Sequence, residues 1–360
     1  MVSGGAWFPN HPGSRPSSRT GFWDRTASLS PVGGSRSGSR VPTSSATSTS
    51  ESRPFILQTG MLGFMRCRRI GVLAGILVCG LGCMRADRVV AIQLDGGPAW
   101  PPFSAPTLVT GLVGSMTYVH GPSLPLDEQE IFFSADTGTG SDIWTSTRSS
   151  PSATWNPGVL VAELSSAFSD VDPDVSPDGL TLYMSSDRSG TGNRLYVSRR
   201  TARGQPWLAP EEMLGLGTST SDRGPSADPQ GLNMIFASIR GTFPDIRLYA
   251  ASRLAPLASW DTIVELSGVN SGMQDENPAV FNQSLCLVWN SRRTKNMQTS
   301  DLFQICRSSA SVPFAGSPIS LDPLNSMNWE GDPWVSQDGH HILFVSDRNA
   351  NVSQIFEAWR

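Results

Sequence analysis

Asp174-Val175-Ser176-Pro177-Asp178-Gly179-Leu180-Thr181-Leu182-Tyr183-Met184-Ser185-Ser186-Asp187-Arg188 is the stretch whose reading decides the fold. Two short apolar runs flank Asp178-Gly179. That dipeptide is a strong hairpin signal, because glycine tolerates positive φ without steric cost. The second run carries Leu180, Leu182 and Tyr183, apolar on both faces, as a strand covered on both sides requires. Val335 to Arg348 repeats the pattern, with Asp338-Gly339 as the turn and Ile342, Leu343, Phe344 and Val345 as the strand.

Working outward, the unit recurs five times between Tyr118 and Arg360. Pro122, Pro173, Pro225, Pro278 and Pro333 open it at spacings of 51, 52, 53 and 55 residues. Arg148, Arg199, Arg253, Arg307 and Arg360 form a second series that closes the third strand of each unit. A fourth strand follows a tryptophan, as in Trp155 to Val161. Repeats of about 40 to 50 residues built from short strands are the signature of propeller blades, since no unit can bury both faces alone. The reading is therefore all-β: a five-bladed β-propeller of four-stranded antiparallel blades. The fifth unit ends after its third strand, and Phe103 to Val109 resembles a fourth strand. Docking that N-terminal strand onto the last blade would complete it and remove an open edge. A sixth, degenerate blade within residues 89–115 is the alternative.

Four segments are expected. Residues 1–64 are rich in Ser, Arg, Gly, Pro and Thr and cannot bury enough surface to order themselves. They read as disordered, or as an over-extended start with Met65 or Met61 as the true first residue. Residues 65–83 read as a secretion signal: Arg66, Arg68 and Arg69, then the apolar run Ile70 to Leu81, then Gly82-Cys83. Residues 84–102 are a linker and 103–360 the propeller. Gly80-Leu81-Gly82-Cys83 resembles a bacterial lipobox, with Cys83 the lipidated residue; simple secretion is the other reading, and Gly80 stands where a leucine is usual. Either way the chain is placed in the cell envelope or outside it, with the membrane reached only through the lipid.

Residues 1–83 hold nine arginines against Asp24 and Glu51, a net +7, and the remainder holds 18 basic and 29 acidic residues, a net −11. An acidic propeller without a basic stripe is a poor partner for nucleic acid. Cys286 and Cys306 lie on strands expected to pair antiparallel. If Asn290 opposes Leu302, the two cysteines face each other and can form a disulfide; two buried thiols are the alternative.

Chemistry-bearing motifs are sparse. His340 and His341 are adjacent on a strand and point to opposite faces, so they do not share a metal. No nucleophile elbow, metalloprotease helix or phosphate loop is present, and neither a metal nor a cofactor is expected. The oxygen-rich turn Asp136 to Asp142 reads as a hairpin tip before it reads as a calcium loop. What recurs is acid three residues before the blade proline: Asp170, Asp222, Asp275 and Glu330, with Val119 in the first unit and His120 beside it. Equivalent positions in a rotational array lie on one circle, so these residues could ring the channel mouth. Alternatively each carboxylate caps its own loop. Trp329, Asp332 and Trp334 add aromatics and a further acid in the last unit, suited to stacking a ligand or to packing between blades. The arginines Arg188, Arg240, Arg292 and Arg348 after the turns read as solvated or paired with acids of neighbouring blades.

Val175-Ser176-Pro177-Asp178-Gly179 followed by Leu182 to Arg188, and Val335-Ser336-Gln337-Asp338-Gly339 followed by Ile342 to Arg348, resemble the WD40-like repeats of the TolB propeller. The resemblance covers residues 117–360 and is one of repeats. TolB has six blades and a preceding α/β domain, so its complex does not carry over. What it implies is an envelope propeller that binds proteins through its channel mouth. Two functions follow: a monomeric, non-catalytic binding protein that takes an envelope protein or peptide at the acidic mouth, or a glycoside hydrolase of the five-bladed type acting on polysaccharide through inner-strand carboxylates. The first is preferred, because the acids look alike from blade to blade.

Overall fold

The structure is a computed structural model that describes residues 100–112, 117–136, 138, 140–216, 221–241, 246–294, 299–349 and 352–360, all within the unit Gly82–Arg360. Residues 1–64, expected to be disordered, residues 65–83, expected to be a secretion signal ending at Cys83, and most of the expected linker lie outside the described residues.

β1 (Thr107–Leu108) precedes four complete blades in chain order. Blade 1 is β2 (Thr117–Ser123), β3 (Glu130–Asp136), β4 (Ser141–Thr147) and β5 (Val159–Leu160). Blade 2 is β6 (Asp170–Val175), β7 (Thr181–Ser186), β8 (Arg194–Arg199) and β9 (Glu211–Glu212). Blade 3 is β10 (Asp222–Ala227), β11 (Asn233–Ser238), β12 (Arg247–Ser252) and β13 (Ile263–Glu265). Blade 4 is β14 (Asp275–Phe281), β15 (Cys286–Ser291), β16 (Asp301–Cys306) and β17 (Ile319–Ser320). Blade 5 is β18 (Glu330–Val335), β19 (His341–Ser346) and β20 (Gln354–Trp359), and β1 supplies its outer strand. Thr107 pairs with Glu357 and Leu108 with Phe356, so the propeller has five blades and closes as the sequence pattern predicts. The outer strands are two or three residues long, which leaves little unpaired edge.

Each inner strand packs on the next, β2 on β6, β6 on β10, β10 on β14, β14 on β18 and β18 back on β2. Strand alternation then divides each blade's apolar residues between two neighbours. Ile342 and Phe344 join Val288 and Phe281 in the core between blades 4 and 5, whereas Leu343 and Val345 join Ile131 and Phe133 between blades 5 and 1. Leu182 and Met184 face blade 1 while Tyr183 faces blade 3. Five such cores, one per seam, replace a single central one. β15 and β19 are buried along their whole length for this reason.

One arginine per blade brackets the seams. Arg148, Arg200, Arg253, Arg307 and Arg360 each donate from Nε to a carbonyl of the preceding hairpin turn, at 2.7, 2.7, 2.6, 3.1 and 2.5 Å. Each also lies over an aromatic ring, for example Trp155 at 4.1 Å and Trp207 at 4.5 Å. The second-blade member is Arg200, one residue beyond the Arg199 of the sequence series. Arg200 is buried and crosses the seam to Glu130 at 2.5 Å, while Arg199 is half-buried at the strand end.

Cys286 pairs with Cys306 and Asn290 with Leu302, and the two sulfurs are bonded.

Candidate functional site

The repeated acids do not line the channel. Asp170, Asp222, Asp275 and Glu330 are buried, and each pairs with the arginine 18 residues on, Arg188, Arg240, Arg293 and Arg348, at 2.5, 3.0, 2.8 and 3.1 Å. The same guanidinium donates to a serine hydroxyl two residues before it and to a loop carbonyl 24 residues before it, as Arg188 does to Ser186 and Leu164. The carboxylate's second oxygen caps the loop that leads into the strand: Asp170 accepts from the Ser166 N–H at 2.6 Å and Asp275 from the Ser271 N–H at 2.7 Å. An acid, an arginine, a serine and a carbonyl thus tie the entrance loop of each of blades 2 to 5 to that blade's second turn. This is the capping reading, and it removes these four carboxylates from any ligand. The blade 4 partner is Arg293, where the sequence series had placed Arg292.

The channel belongs instead to the residue directly before each proline. Gly121, Asp172, Gly224, Asn277 and Asp332 all have φ between 47° and 56°. In every blade the ladder between first and second strands is interrupted here, at His120/Ser123, Val171/Asp174, Arg223/Ser226, Glu276/Ala279 and Gly331/Trp334. Proline has no N–H to give a ladder and is tolerated at such a bulge, and the left-handed residue before it re-aims its side chain. Only Gly, Asn and Asp stand there, the residues that adopt this conformation most readily.

These five residues touch in a closed circuit. The Gly121 N–H donates to Asp332 Oδ2 at 3.3 Å, the Gly224 N–H to Asp172 Oδ2 at 3.2 Å, and the Asn277 amide to Asp332 Oδ1. A Cβ on Gly121 would meet Asp172 Cα at 3.0 Å, and one on Gly224 would meet Asn277 Oδ1 at 2.9 Å. The circuit floors the channel. Beneath it, between Pro122, Pro173, Pro225, Pro278 and Pro333, lies a cavity of about 80 Å³, room for a few waters and too small for a sugar ring.

On the mouth side of this floor stand His120, Arg223 and Glu276, each one residue further upstream, with Val171 and Gly331 as their equivalents in blades 2 and 5. His120 Nδ1 lies 3.3 Å from Asp332 Oδ2. Burial by itself would lower the imidazole; the bond to Asp332 and the charges of Asp332, Asp172 and Asp136 outweigh it and leave the group raised. Asp172 is raised by burial and by the charge of Asp332, against Arg223 and His120. Glu276 is raised by burial, with Arg223 and Arg292 pulling the other way. Below the floor, burial pushes Asp174 up to about 7 against a hydrogen bond from the Ala227 N–H. Three carboxylates held close together with too few cations make a negative, poorly hydrated centre.

Of the residues singled out in the sequence, the structure brings His120 and Asp332 to this centre. Trp329 sits at the rim, half-buried, its indole filling the space that a side chain at Gly331 would take. Trp334 faces the other way, into the cavity below the floor, edge-on to His341. Asp172, Glu276 and Arg223 were missed. Their signal was the position one or two residues before each blade proline, where acid, amide and basic side chains alternate with glycine. Phe168 and Met327, both exposed, precede the inner strands of blades 2 and 5, and the exposed Tyr118 is the second residue of β2; with Trp329 they lie at the starts of three adjacent inner strands.

Among the described residues no three His, Cys, Asp or Glu side chains are placed to hold a metal ion, and no helix is long and apolar enough to cross a membrane.

No protein-family model matches the chain, and no curated protein matches it. Solved structures do. An α-L-arabinofuranosidase from Podospora anserina aligns at 12% identity over 72% of this chain and 96% of its own, with a TM-score of 0.50. The likeness is one of fold. An endo-arabinanase from Bacillus licheniformis aligns at 16% identity over 69% and 96%, with a TM-score of 0.46. TolB from Acinetobacter baumannii aligns at 14% identity over 68% of this chain and 54% of its own, with a TM-score of 0.43. TolB and glycoside hydrolases therefore both stand among the structural neighbours, at identities that show the fold alone.

Proposed function

We propose that this protein is a binding module of the cell envelope, taking a peptide segment of another protein across its channel mouth with a basic side chain lodged over the carboxylate centre. The observation that carries this reading is the sealed floor. Because Gly121, Asp172, Gly224, Asn277 and Asp332 close on one another, a ligand meets a shallow charged basin bordered by Tyr118, Phe168, Met327 and Trp329, not a deep pocket. Aromatic anchors around a desolvated charge suit a protein hot spot. A Lys or Arg there would offset the burial and the neighbouring carboxylate charge that raise Asp172 and Glu276. The apolar run after Arg66, Arg68 and Arg69 supports export.

One observation favours a hydrolase: Asp172, Glu276 and Asp332 form a two-Asp, one-Glu set from three inner strands, with Glu276 raised as a general acid would need. A single experiment separates the two. Peptides that differ only in a central Lys, Gln or Glu are titrated into the full chain by fluorescence anisotropy, and the chain is incubated with arabinan and xylan. The expected result is a preference for Lys over Glu of about tenfold or more, abolished in Glu276→Gln, with both polysaccharides left intact. Equal affinity for the three peptides overturns the binding reading. Shortened polysaccharide with wild type and none with Glu276→Gln replaces it with the hydrolase.

A further inference from the structure

The seam between blades 5 and 1 differs from the others. At the seam of blades 1 and 2 an arginine crosses to Glu130, and at the seam of blades 4 and 5 Arg360 crosses to Gln304 at 3.0 Å. The place of Glu130, first residue of its second strand, is taken in blade 5 by His341. A histidine raised by two carboxylates offers a guanidinium nothing, so Arg148 turns back to Glu128 of its own blade, 3.5 Å away. The space left open is a cleft of about 440 Å³. The clefts at the seams of blades 3 and 4 and of blades 2 and 3 measure about 180 and 210 Å³. Small-molecule sites occupy roughly 300 to 1,000 Å³, so of these cavities only the one at the closing seam is of ligand size.

Its wall is an aromatic platform. Trp359 is 45% exposed, and one face of its indole is stacked on His341 with centroids 3.6 Å apart and planes at 4°. His341 is itself fixed, with Nδ1 2.9 Å from Glu128 and Nε2 3.2 Å from Glu357. The indole is therefore held in place before any ligand arrives, which lowers the entropy cost of binding. Around it stand groups that want hydrogen bonds. Arg148 is buried, and its Nη2 makes no hydrogen bond beyond the long ion pair to Glu128. Glu357 uses one oxygen on His341 and is half-buried at the cleft. Thr110 and Ser152 present exposed hydroxyls. A flat apolar face edged by donors and acceptors matches a ring that is apolar on its faces and hydroxylated at its rim. A phosphorylated ligand would have Glu357 and the net negative charge of the propeller against it.

We propose that the cleft at the closing seam is a saccharide-binding subsite in which one sugar unit stacks on Trp359 while its hydroxyls meet Arg148 and Glu357. It is separate from the channel mouth and stands or falls independently of the peptide reading. Calorimetric titration of the full chain with cellotriose, xylotriose and arabinotriose tests it. Saturable binding of at least one of them is expected, weakened about tenfold or more in Trp359→Ala and in Ser152→Trp, which fills the cleft without touching the His341 stack. Glu211→Gln, an exposed change on the outer strand of blade 2, should bind sugar as wild type does. Absence of saturation by all three sugars up to roughly 10 mM, or wild-type affinity in Ser152→Trp, overturns the proposal.

Discussion

Replacing Asp275 by alanine tests whether the repeated acid is a structural tie. The carboxylate is fully buried and accepts from Arg293 at 2.8 Å, the Trp289 indole at 3.0 Å, and the Ser271 N–H and hydroxyl at 2.7 and 2.8 Å. Breaking a buried pair by removing one partner costs about 3 to 5 kcal/mol, and stranding a buried donor adds about 1 to 3 kcal/mol. Trp289 is buried and would be stranded, whereas the exposed Ser271 can turn to water. The Arg293 side chain is 17% exposed, so water reaches its charge and the pair term falls at the low end. The expected loss is about 4 to 6 kcal/mol, or roughly 10 to 20 °C in Tm at the few degrees per kcal/mol usual for a domain of this size. Asp127→Ala is the comparison. It breaks a still shorter pair to Arg203, but the side chains are 43% and 33% exposed, and such a pair contributes about 0 to 1 kcal/mol. Thermal unfolding followed by circular dichroism, with urea titration for the free energy, measures both. If Asp275→Ala melts within about 3 °C of Asp127→Ala, the tie is not structural and the carboxylate must be kept for something else.

Two further outcomes follow from the closing seam and from blade 4. His341 is buried with its pKa raised: burial opposes, but the bonds to Glu128 and Glu357 and their charges prevail, and Arg148 is the other charged group facing the cluster. The stability it contributes is fully present below its unfolded value near 6.5 and lost as pH rises through the raised folded value. The Tm gap between wild type and His341→Gln should therefore narrow from about pH 6 to pH 9, and a constant gap would refute the assignment. Cys286 and Cys306, 20 residues apart and bonded, should resist alkylation until reduced. The double Cys→Ser variant should lose about 3 kcal/mol by urea unfolding, the loss expected for a loop of that length; free thiols in unreduced protein would show that the bond does not form.

Much of the architecture was legible because propeller repeats write themselves into periodic residues. The proline period, the Asp-Gly turns and the doubly apolar second strands were enough for five blades, for closure by Phe103 to Val109, and for the facing of Cys286 and Cys306. Each of these depends on neighbours in sequence or on strand alternation, which needs no tertiary information. Assignments that depended on a single-residue register fared less well. Arg199 and Arg200 are adjacent, as are Arg292 and Arg293, and only packing decides which guanidinium enters the seam or the carboxylate pair.

The sequence by itself determined the repeat, the number of blades, their strand order and the way the ring closes, because these follow from hydrophobic period and turn chemistry. Only the tertiary structure decided which acids face the channel. Asp170 and Asp172 are two residues apart, and in an unbroken strand they would share a face. The left-handed residue before each proline breaks the ladder between them, sending Asp170 into the blade to Arg188 and Asp172 into the channel to Gly224. Side-chain direction at a bulge is set by the chain on either side of it and by the neighbouring blades, and no period in the sequence carries that information.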